Sequence, residues 1–118
     1  MTAFRAFLLL IWLCITAYTV IVVRDYGLNL FPYFFGDMMK LNWAGQFNLD
    51  FMFMLSLSGL WTAWRHDFSG AGLALGLLAF LGGAAFLSVY LLVLLAQSGG
   101  DLREVLLGKT RAVRKTAA

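Results

Sequence analysis

The chain contains very few residues that could build a reactive site. Its 118 residues include one cysteine, one proline and one histidine, and only 13% of them are charged, against about 25% in a typical soluble domain. A single cysteine forms neither an internal disulfide nor a thiolate metal cluster, so we expect Cys14 to be a small buried apolar side chain. The scarcity of proline and charge also excludes a disordered chain.

Catalytic and cofactor motifs are missing as well. His66 has no second histidine with which to complete a b-type haem site, and the residue types present make no zinc constellation. The serines lack a nucleophile motif, and neither a phosphate-binding loop nor a dinucleotide fingerprint occurs. The sequence therefore predicts a non-enzymatic protein with no metal and no cofactor, and it leaves a bound lipid open.

The chain has an excess of apolar surface. Hydrophobic residues make up 62% of it, and the mean hydropathy is +0.83. A chain of this size cannot bury so much apolar surface in one core, so the remaining apolar surface must face lipid or other subunits. Three long apolar runs predict an all-α membrane protein, with one domain over residues 1–118 and transmembrane helices at about 5–24, 44–64 and 71–97. A cleaved signal peptide is the alternative for the first run, but the run is longer than such a segment and ends in "IVVRDY".

An aromatic segment, "LNLFPYFFGDMMKLNW", follows the first run. Read as a helix over about residues 30–42, it is too short and too polar on one side to span a bilayer. Large apolar side chains at i, i+3, i+4 and i+7 share its other side; they are Phe31, Phe34, Phe35 and Met38. We predict an amphipathic helix parallel to the membrane, whose apolar face either enters the interface or packs on the protein's own helices as a lid.

The last segment, residues 98–118, is basic. Asp101 and Glu104 resemble a capping box at the start of a short amphipathic helix. We expect the basic side chains to contact anionic lipid headgroups rather than nucleic acid; they are Arg103, Lys109, Arg111, Arg114 and Lys115. Three spans would put the two termini on opposite sides, and the Lys and Arg excess of the tail predicts a cytoplasmic C-terminus and an external N-terminus.

Small residues repeat on two of the predicted spans and would let helix backbones approach closely in lipid. They are Ser56, Gly59 and Ala63 in the second span, and Gly72, Gly76, Ala79 and Gly83 in the third. The simplest arrangement packs the two stripes together within one chain. Homodimerisation through the glycines is the alternative.

A carboxylate interrupts the second predicted span. Asp50 and the nearby Asn48 are the polar intramembrane candidates, because an ionisable group inside a span usually faces the bundle interior, water or a partner. Three roles are open for Asp50. It could be a structural anchor bonded to backbone or to Lys40, a proton- or ligand-binding group, or a contact with a partner subunit.

Three segments, "GQFNLDF", "LWTAWRHDFS" and "SVYLLVLL" followed by "DLREVLLG", occur in this order. Through them the chain resembles small bacterial three-span inner-membrane proteins of uncharacterised function. The resemblance covers the second and third spans and the start of the tail, and it implies a three-helix architecture without an activity. Succinate dehydrogenase membrane anchors have a similar length and span count, but they place a haem-ligating histidine inside a span, whereas His66 falls in a predicted turn.

These features favour a non-enzymatic accessory or scaffold subunit that works by helix packing in a larger membrane complex or a homo-oligomer. The expected partners are membrane lipids and a protein subunit or further copies of the chain. Two alternatives stay open. One is a small oligomeric transporter or channel that uses Asp50 and Asn48; the other is a subunit that binds lipid, quinone or pigment in the aromatic groove under Phe31, Phe34 and Phe35.

Overall fold

Five helices form the described part of the chain. The computed structural model describes residues 2–109 and 111–112, and no strand occurs among them. The helices are α1 (Thr2–Tyr26), α2 (Phe31–Met39), α3 (Trp43–Arg65), α4 (Gly70–Ser98) and α5 (Leu102–Leu107). By length and composition, two of them could cross a membrane, namely α1 and α4. The third long helix, α3, has 23 residues but is less apolar.

Short polar side chains mark the starts of three helices. Asn42 precedes α3, Ser69 precedes α4 and Asp101 precedes α5, and the side-chain oxygen of each accepts a backbone N–H from the first turn, at 2.9, 3.1 and 3.0 Å respectively. These bonds satisfy donors that have no partner within the helix. Local sequence therefore sets where these helices begin.

The path of α4 reverses at Gly83. This residue has φ 56° and ψ −141°, a conformation that is essentially restricted to glycine. In a straight helix, Tyr90 would lie about 30 Å along the axis from the start of α4. Instead, its Oη is 2.5 Å from Nε2 of His66, a residue that precedes α4. The two halves of α4, residues 70–82 and 84–98, therefore run antiparallel as a hairpin with Gly83 at the apex.

The apex of this hairpin lies beside the middle of α3. A Cβ atom built on Gly83 would be 3.3 Å from the ring of Phe51 and 3.5 Å from Leu55, and both residues are near the centre of α3. The third predicted span, at about 71–97, therefore differs from the expectation in shape, while α4 keeps the length and composition of a candidate span. The residues are helical, but they do not form one continuous rod.

The first turns of α1 pack on the second half of α4. Leu8 is 3% exposed and shares a core cluster with Leu94, Leu95 and Val105. Since Leu94 and Leu95 are near the end of α4 and Val105 is in α5, the N-terminal end of α1 lies next to α5. The N-terminal end of α1, the turn between α3 and α4, and α5 thus meet at one end of the molecule, which we call the Arg65 end.

The opposite end, which we call the Trp43 end, is formed by α2 and the first turns of α3. There the Asn48 Nδ2 donates to the carbonyl oxygen of Phe34 at 3.1 Å. The N-terminal end of α1 and the start of the tail therefore lie at the same end of the described molecule, and the predicted placement of the two termini on opposite sides of a membrane stays a prediction. Because α4 turns back on itself, the chain returns to the end from which it started.

The surface of the molecule is strongly apolar. In the most apolar stretch of α1, 6% of the residues are buried, and in that of α4, 22% are buried. Cys14, expected to be buried, is exposed on α1. A surface of this kind on a folded chain is typical of contact with lipid or another protein.

Candidate functional site at the Arg65 end

Two helices, α3 and α5, end close together at the Arg65 end. The last four carbonyl groups of an α-helix have no partner within it. Arg65 donates from Nε to the carbonyl oxygen of Val105 at 2.6 Å and from Nη2 to that of Glu104 at 3.1 Å. The Trp61 Nε1 donates to the carbonyl oxygen of Leu106 at 3.0 Å. Side chains of α3 thus cap three terminal carbonyls of α5.

Arg111 makes the reciprocal contacts. Its Nη1 donates to the carbonyl oxygens of Trp64 and Leu107, at 2.9 and 3.3 Å, and its Nη2 forms an ion pair with the carboxylate of Asp67. The guanidinium also lies 4.0 Å from the centre of the Trp64 ring, which is a cation–π geometry. A cation at a helix C-terminus is favourable because the helix dipole leaves partial negative charge there. Each of the two helix ends is therefore capped by an arginine that belongs to the other segment.

His66 accepts the hydrogen bonds of two neighbours. Its Nε2 is 2.5 Å from the Oη of Tyr90 and 3.5 Å from Nη1 of Arg65. Because a guanidinium can only donate, Nε2 is the unprotonated nitrogen, and the Tyr90 hydroxyl donates to it. Burial lowers the pKa of His66 below its usual 6.5 and the positive charge of Arg65 lowers it further, while Asp67 acts in the opposite direction. His66 is thus neutral near pH 7.

A cavity of about 580 Å³ opens between the α3–α4 turn, the end of α4, and α5. It is lined by Arg65, His66, Asp67, Leu94, Gln97, Ser98, Glu104, Gly108 and Lys109. Within the described part of the chain, the Lys109 ammonium and the Glu104 carboxylate have no hydrogen bond or ion pair. The lining can bind a polar or charged group. The one imidazole of the lining accepts the Tyr90 hydroxyl, and the Ser98 hydroxyl donates to the carbonyl oxygen of Leu95.

The structure places Asp50 away from the rest of the protein. Gly59, which packs against α4, follows Asp50 by nine residues, or about two and a half helical turns, so the two side chains point in opposite directions. We call the side of α3 that carries Asp50, Phe53 and Leu57 its outward face. Asp50 is exposed and makes no hydrogen bond or ion pair with any described residue.

Asn48 and Lys40, the polar residues named with Asp50 in the sequence analysis, bond to other partners. Asn48 bonds to the backbone of α2, and Lys40 lies 4.0 Å from the carboxylate of Asp37. Neither of them contacts Asp50. Asp50 is not anchored to Lys40 or to backbone.

The predicted apolar face of α2 divides between two directions. Phe34 and Met38 are half-buried, on the side of α3, whereas Phe31 and Phe35 are exposed and stack on each other with ring centres 6.0 Å apart. The helix runs over nine residues, which is shorter than the predicted 30–42. The segment therefore packs on α3 with one side and leaves an aromatic pair uncovered.

Most of the small residues meet where α3 crosses the first half of α4. A Cβ atom on Gly59 would lie 2.9 Å from the carbonyl oxygen of Gly76, and one on Gly76 would lie 2.9 Å from that of Gly59 and 3.3 Å from Cβ of Ala63. Gly72 and Ala79 are buried along the same line. Ser56 and Gly83 differ: Ser56 is exposed and bonded to its own helix, and Gly83 forms the hairpin apex.

The basic residues of the tail also separate into groups. Arg111 is engaged by protein rather than by solvent, whereas Arg103 and Lys109 are exposed. Arg114 and Lys115 lie outside the described residues. The short α5, with Val105 buried, is docked on the protein, and Ala112 beyond it is buried as well.

Comparison with known proteins does not add a relative: no family model matches the chain, and no curated protein or solved structure is significantly similar to it. The functional interpretation therefore rests on the contacts described above. Sequence reasoning missed Tyr90, Trp61 and the capping role of Arg65. Their partners are 24 to 45 residues away along the chain, and only the reversal of α4 brings Tyr90 to His66.

Proposed function

We propose that this chain is a small integral membrane protein that serves as a non-enzymatic accessory subunit of a larger membrane complex. One observation carries the proposal, namely the carboxylate of Asp50 on the outward face of α3 without a partner among the described residues. A charged group that faces lipid is costly, and intramembrane carboxylates normally pair with another group. A transmembrane helix of another subunit, with a hydrogen-bond donor or a cation at this depth, would supply the partner.

The surroundings of Asp50 suit such a contact. Phe53 and Leu57 are 57% and 66% exposed on the same face, while the opposite face of α3 is occupied by α2 and α4. Asp50 follows Trp43 by seven residues, which places it about 10 Å along the helix from that tryptophan. A partner helix on the outward face would therefore cover an apolar strip and enclose one carboxylate.

A different protein fits this face better than a second copy of the chain. Two copies related by a two-fold axis along the membrane normal would place both Asp50 carboxylates at the same depth. Like charges at close range in a poorly solvated site repel, and one of the two would have to be protonated. We place the complex in the bacterial inner membrane, which is the compartment that the sequence resemblance implies.

The test is recovery of the partner in a mild detergent, read by native mass spectrometry. We expect the wild-type chain to bring down a stoichiometric larger protein, and Asp50→Asn to reduce its recovery by more than tenfold, since breaking a desolvated polar pair costs about 2–5 kcal/mol. Asp37→Asn is the matched control, because Asp37 is paired with Lys40 at the surface. A wild-type chain that purifies as a lone monodisperse monomer would contradict the proposal.

Crosslinking locates the contact. A photoreactive amino acid at Leu57, on the outward face, should capture the partner, whereas the same group at Leu78, 50% exposed on α4, should not. Capture of a second copy of this chain from Leu57 would argue for a homo-oligomer instead. An Asp50→Asn variant that retains its partners but loses ion flux in liposomes would favour the transporter alternative.

A further inference from the structure

We infer that the chain crosses the membrane twice, through α1 and α3, and that α4 is a re-entrant hairpin that enters and leaves at the same face, so that the N-terminus and α5 share the cytoplasmic side. The inference rests on the membrane location proposed above. It does not depend on any partner subunit.

Helix lengths distinguish the spanning helices from the hairpin. With 25 and 23 residues, α1 and α3 are about 37 and 34 Å long, which exceeds the roughly 30 Å of a hydrocarbon core. Of these two helices, α1 is also apolar enough for a candidate span, whereas α3 is less apolar and qualifies by its length. The two halves of α4, residues 70–82 and 84–98, are only about 20 and 22 Å long. Each half can enter a bilayer but cannot cross it.

The position of the apex agrees with partial insertion. Gly83 lies beside Phe51 and Leu55, close to the midpoint of α3, so the hairpin ends about halfway along that helix. Irregular backbone at this depth is tolerated where protein covers it. Here the irregularity is confined to one residue, Gly83, which is half-buried. The exposed side chains beside it, Phe80 and Leu81, are apolar.

The charge distribution gives the orientation. Among the described residues, five basic ones belong to the Arg65 end and two belong to the Trp43 end. Lys and Arg accumulate on the cytoplasmic side of membrane proteins. The five are Arg5, Arg65, Arg103, Lys109 and Arg111, and the two are Arg24 and Lys40. The Arg65 end, with the cavity between α4 and α5, therefore faces the cytoplasm, and α2 lies on the outer side.

Cysteine labelling tests the arrangement in intact cells. In a Cys14→Ser background, single cysteines replace Gly70, Gln97 and Met39, all of which are exposed; Gly70 has no atom within 4 Å of a Cβ position. A membrane-impermeant maleimide should label Met39→Cys from outside, and should label Gly70→Cys and Gln97→Cys only after permeabilisation. Labelling of Gly70→Cys and Gln97→Cys from opposite sides would overturn the hairpin. Labelling of both from outside would overturn the orientation.

A distance measurement tests the hairpin in purified protein. Spin labels at residues 70 and 97 should lie within about 20 Å of each other, since packed helices are about 8–10 Å apart. A straight helix would separate them by about 40 Å. A long distance would refute the hairpin even if a partner were recovered, and a short one would support it even if none were.

Discussion

Replacing Gly76 by alanine tests the close approach between α3 and the first half of α4. A Cβ atom at this position would lie 2.9 Å from the carbonyl oxygen of Gly59 and 3.3 Å from Cβ of Ala63. The nearer of these atoms belongs to backbone, so it cannot move aside as a flexible side chain would. To accept the methyl group, α3 and the first half of α4 must separate by several tenths of an ångström.

Two opposing contributions determine how much Gly76→Ala changes the free energy of unfolding. Alanine is a better helix former than glycine by about 1 kcal/mol, whereas overpacking a close contact costs about 1–3 kcal/mol. The contacts of Ala63 and Thr62, both buried beside the crossing point, also weaken as the helices move apart. We expect a net loss of about 1–2 kcal/mol in the free energy of unfolding.

The assay is unfolding in mixed micelles with increasing denaturing detergent, followed by tryptophan fluorescence. Gly70→Ala is the matched control in the same helix, because no atom lies within 4 Å of its Cβ position; it should be neutral or slightly stabilising. Adding Gly59→Ala to Gly76→Ala should cost less than the sum of the single changes, since both methyl groups open the same gap. If Gly76→Ala unfolded at the same detergent fraction as Gly70→Ala, the close crossing of α3 and α4 would be refuted.

The remaining predictions concern the Arg65 end. Arg65→Gln should undock α5 by about 2 kcal/mol, because it removes two charge-assisted hydrogen bonds to carbonyls; amide hydrogen exchange in α5 should accelerate roughly thirtyfold, and the same change at the exposed Arg103 should leave exchange unaltered. Docking should also weaken as pH falls below about 6.5. The undocked state then binds a proton at His66 that the docked state, with its lowered pKa, binds only at lower pH. The protection factor of the α5 amides, which is the intrinsic exchange rate at each pH divided by the observed rate, should fall from pH 8 to 5 and should stay constant in His66→Gln. A protection factor that increased on acidification would contradict the assignment of Nε2 as an acceptor.

Much of the local structure could be predicted because it depends on neighbouring residues. The helical class follows from the long apolar runs, and the start of α3, for which no cap is predicted above, is set by Asn42, whose side chain caps the first turn. The short α5 follows from Asp101, which accepts the N–H of Arg103. In each case the decisive hydrogen bond joins residues two or three positions apart.

The reversal of α4 could not be read from hydropathy, because the residues on both sides of Gly83 are equally apolar. Gly82 and Gly83 form a glycine pair in the middle of a run longer than one span needs, and this was the available signal. We interpreted Gly83 as part of a packing stripe since it continues the spacing of Gly76 and Ala79. Helical spacing indicates which residues share a face of a helix. It does not indicate whether the helix continues or reverses.

The contacts at the Arg65 end could not be predicted from the sequence either, because their residues are far apart along the chain. His66 has only charged and aromatic neighbours in sequence, and Tyr90 is 24 residues away, so no motif connects them. Arg111 looked like a headgroup contact because it stands in a basic tail. Its actual partners are Asp67 and the carbonyl of Trp64, which are adjacent only after α5 has docked.

The reciprocal arginine caps have a consequence for biosynthesis. Arg65 is made long before Glu104 and Val105, which follow it by 39 and 40 residues, and Arg111 comes later still. A nascent chain can insert its first helices before the Arg65 end is complete, because the residues that complete it are synthesised about 40 positions later. A product truncated ahead of α5 would therefore display an unneutralised guanidinium and uncovered carbonyl groups, which are features by which a membrane protease could distinguish unfinished chains from finished ones.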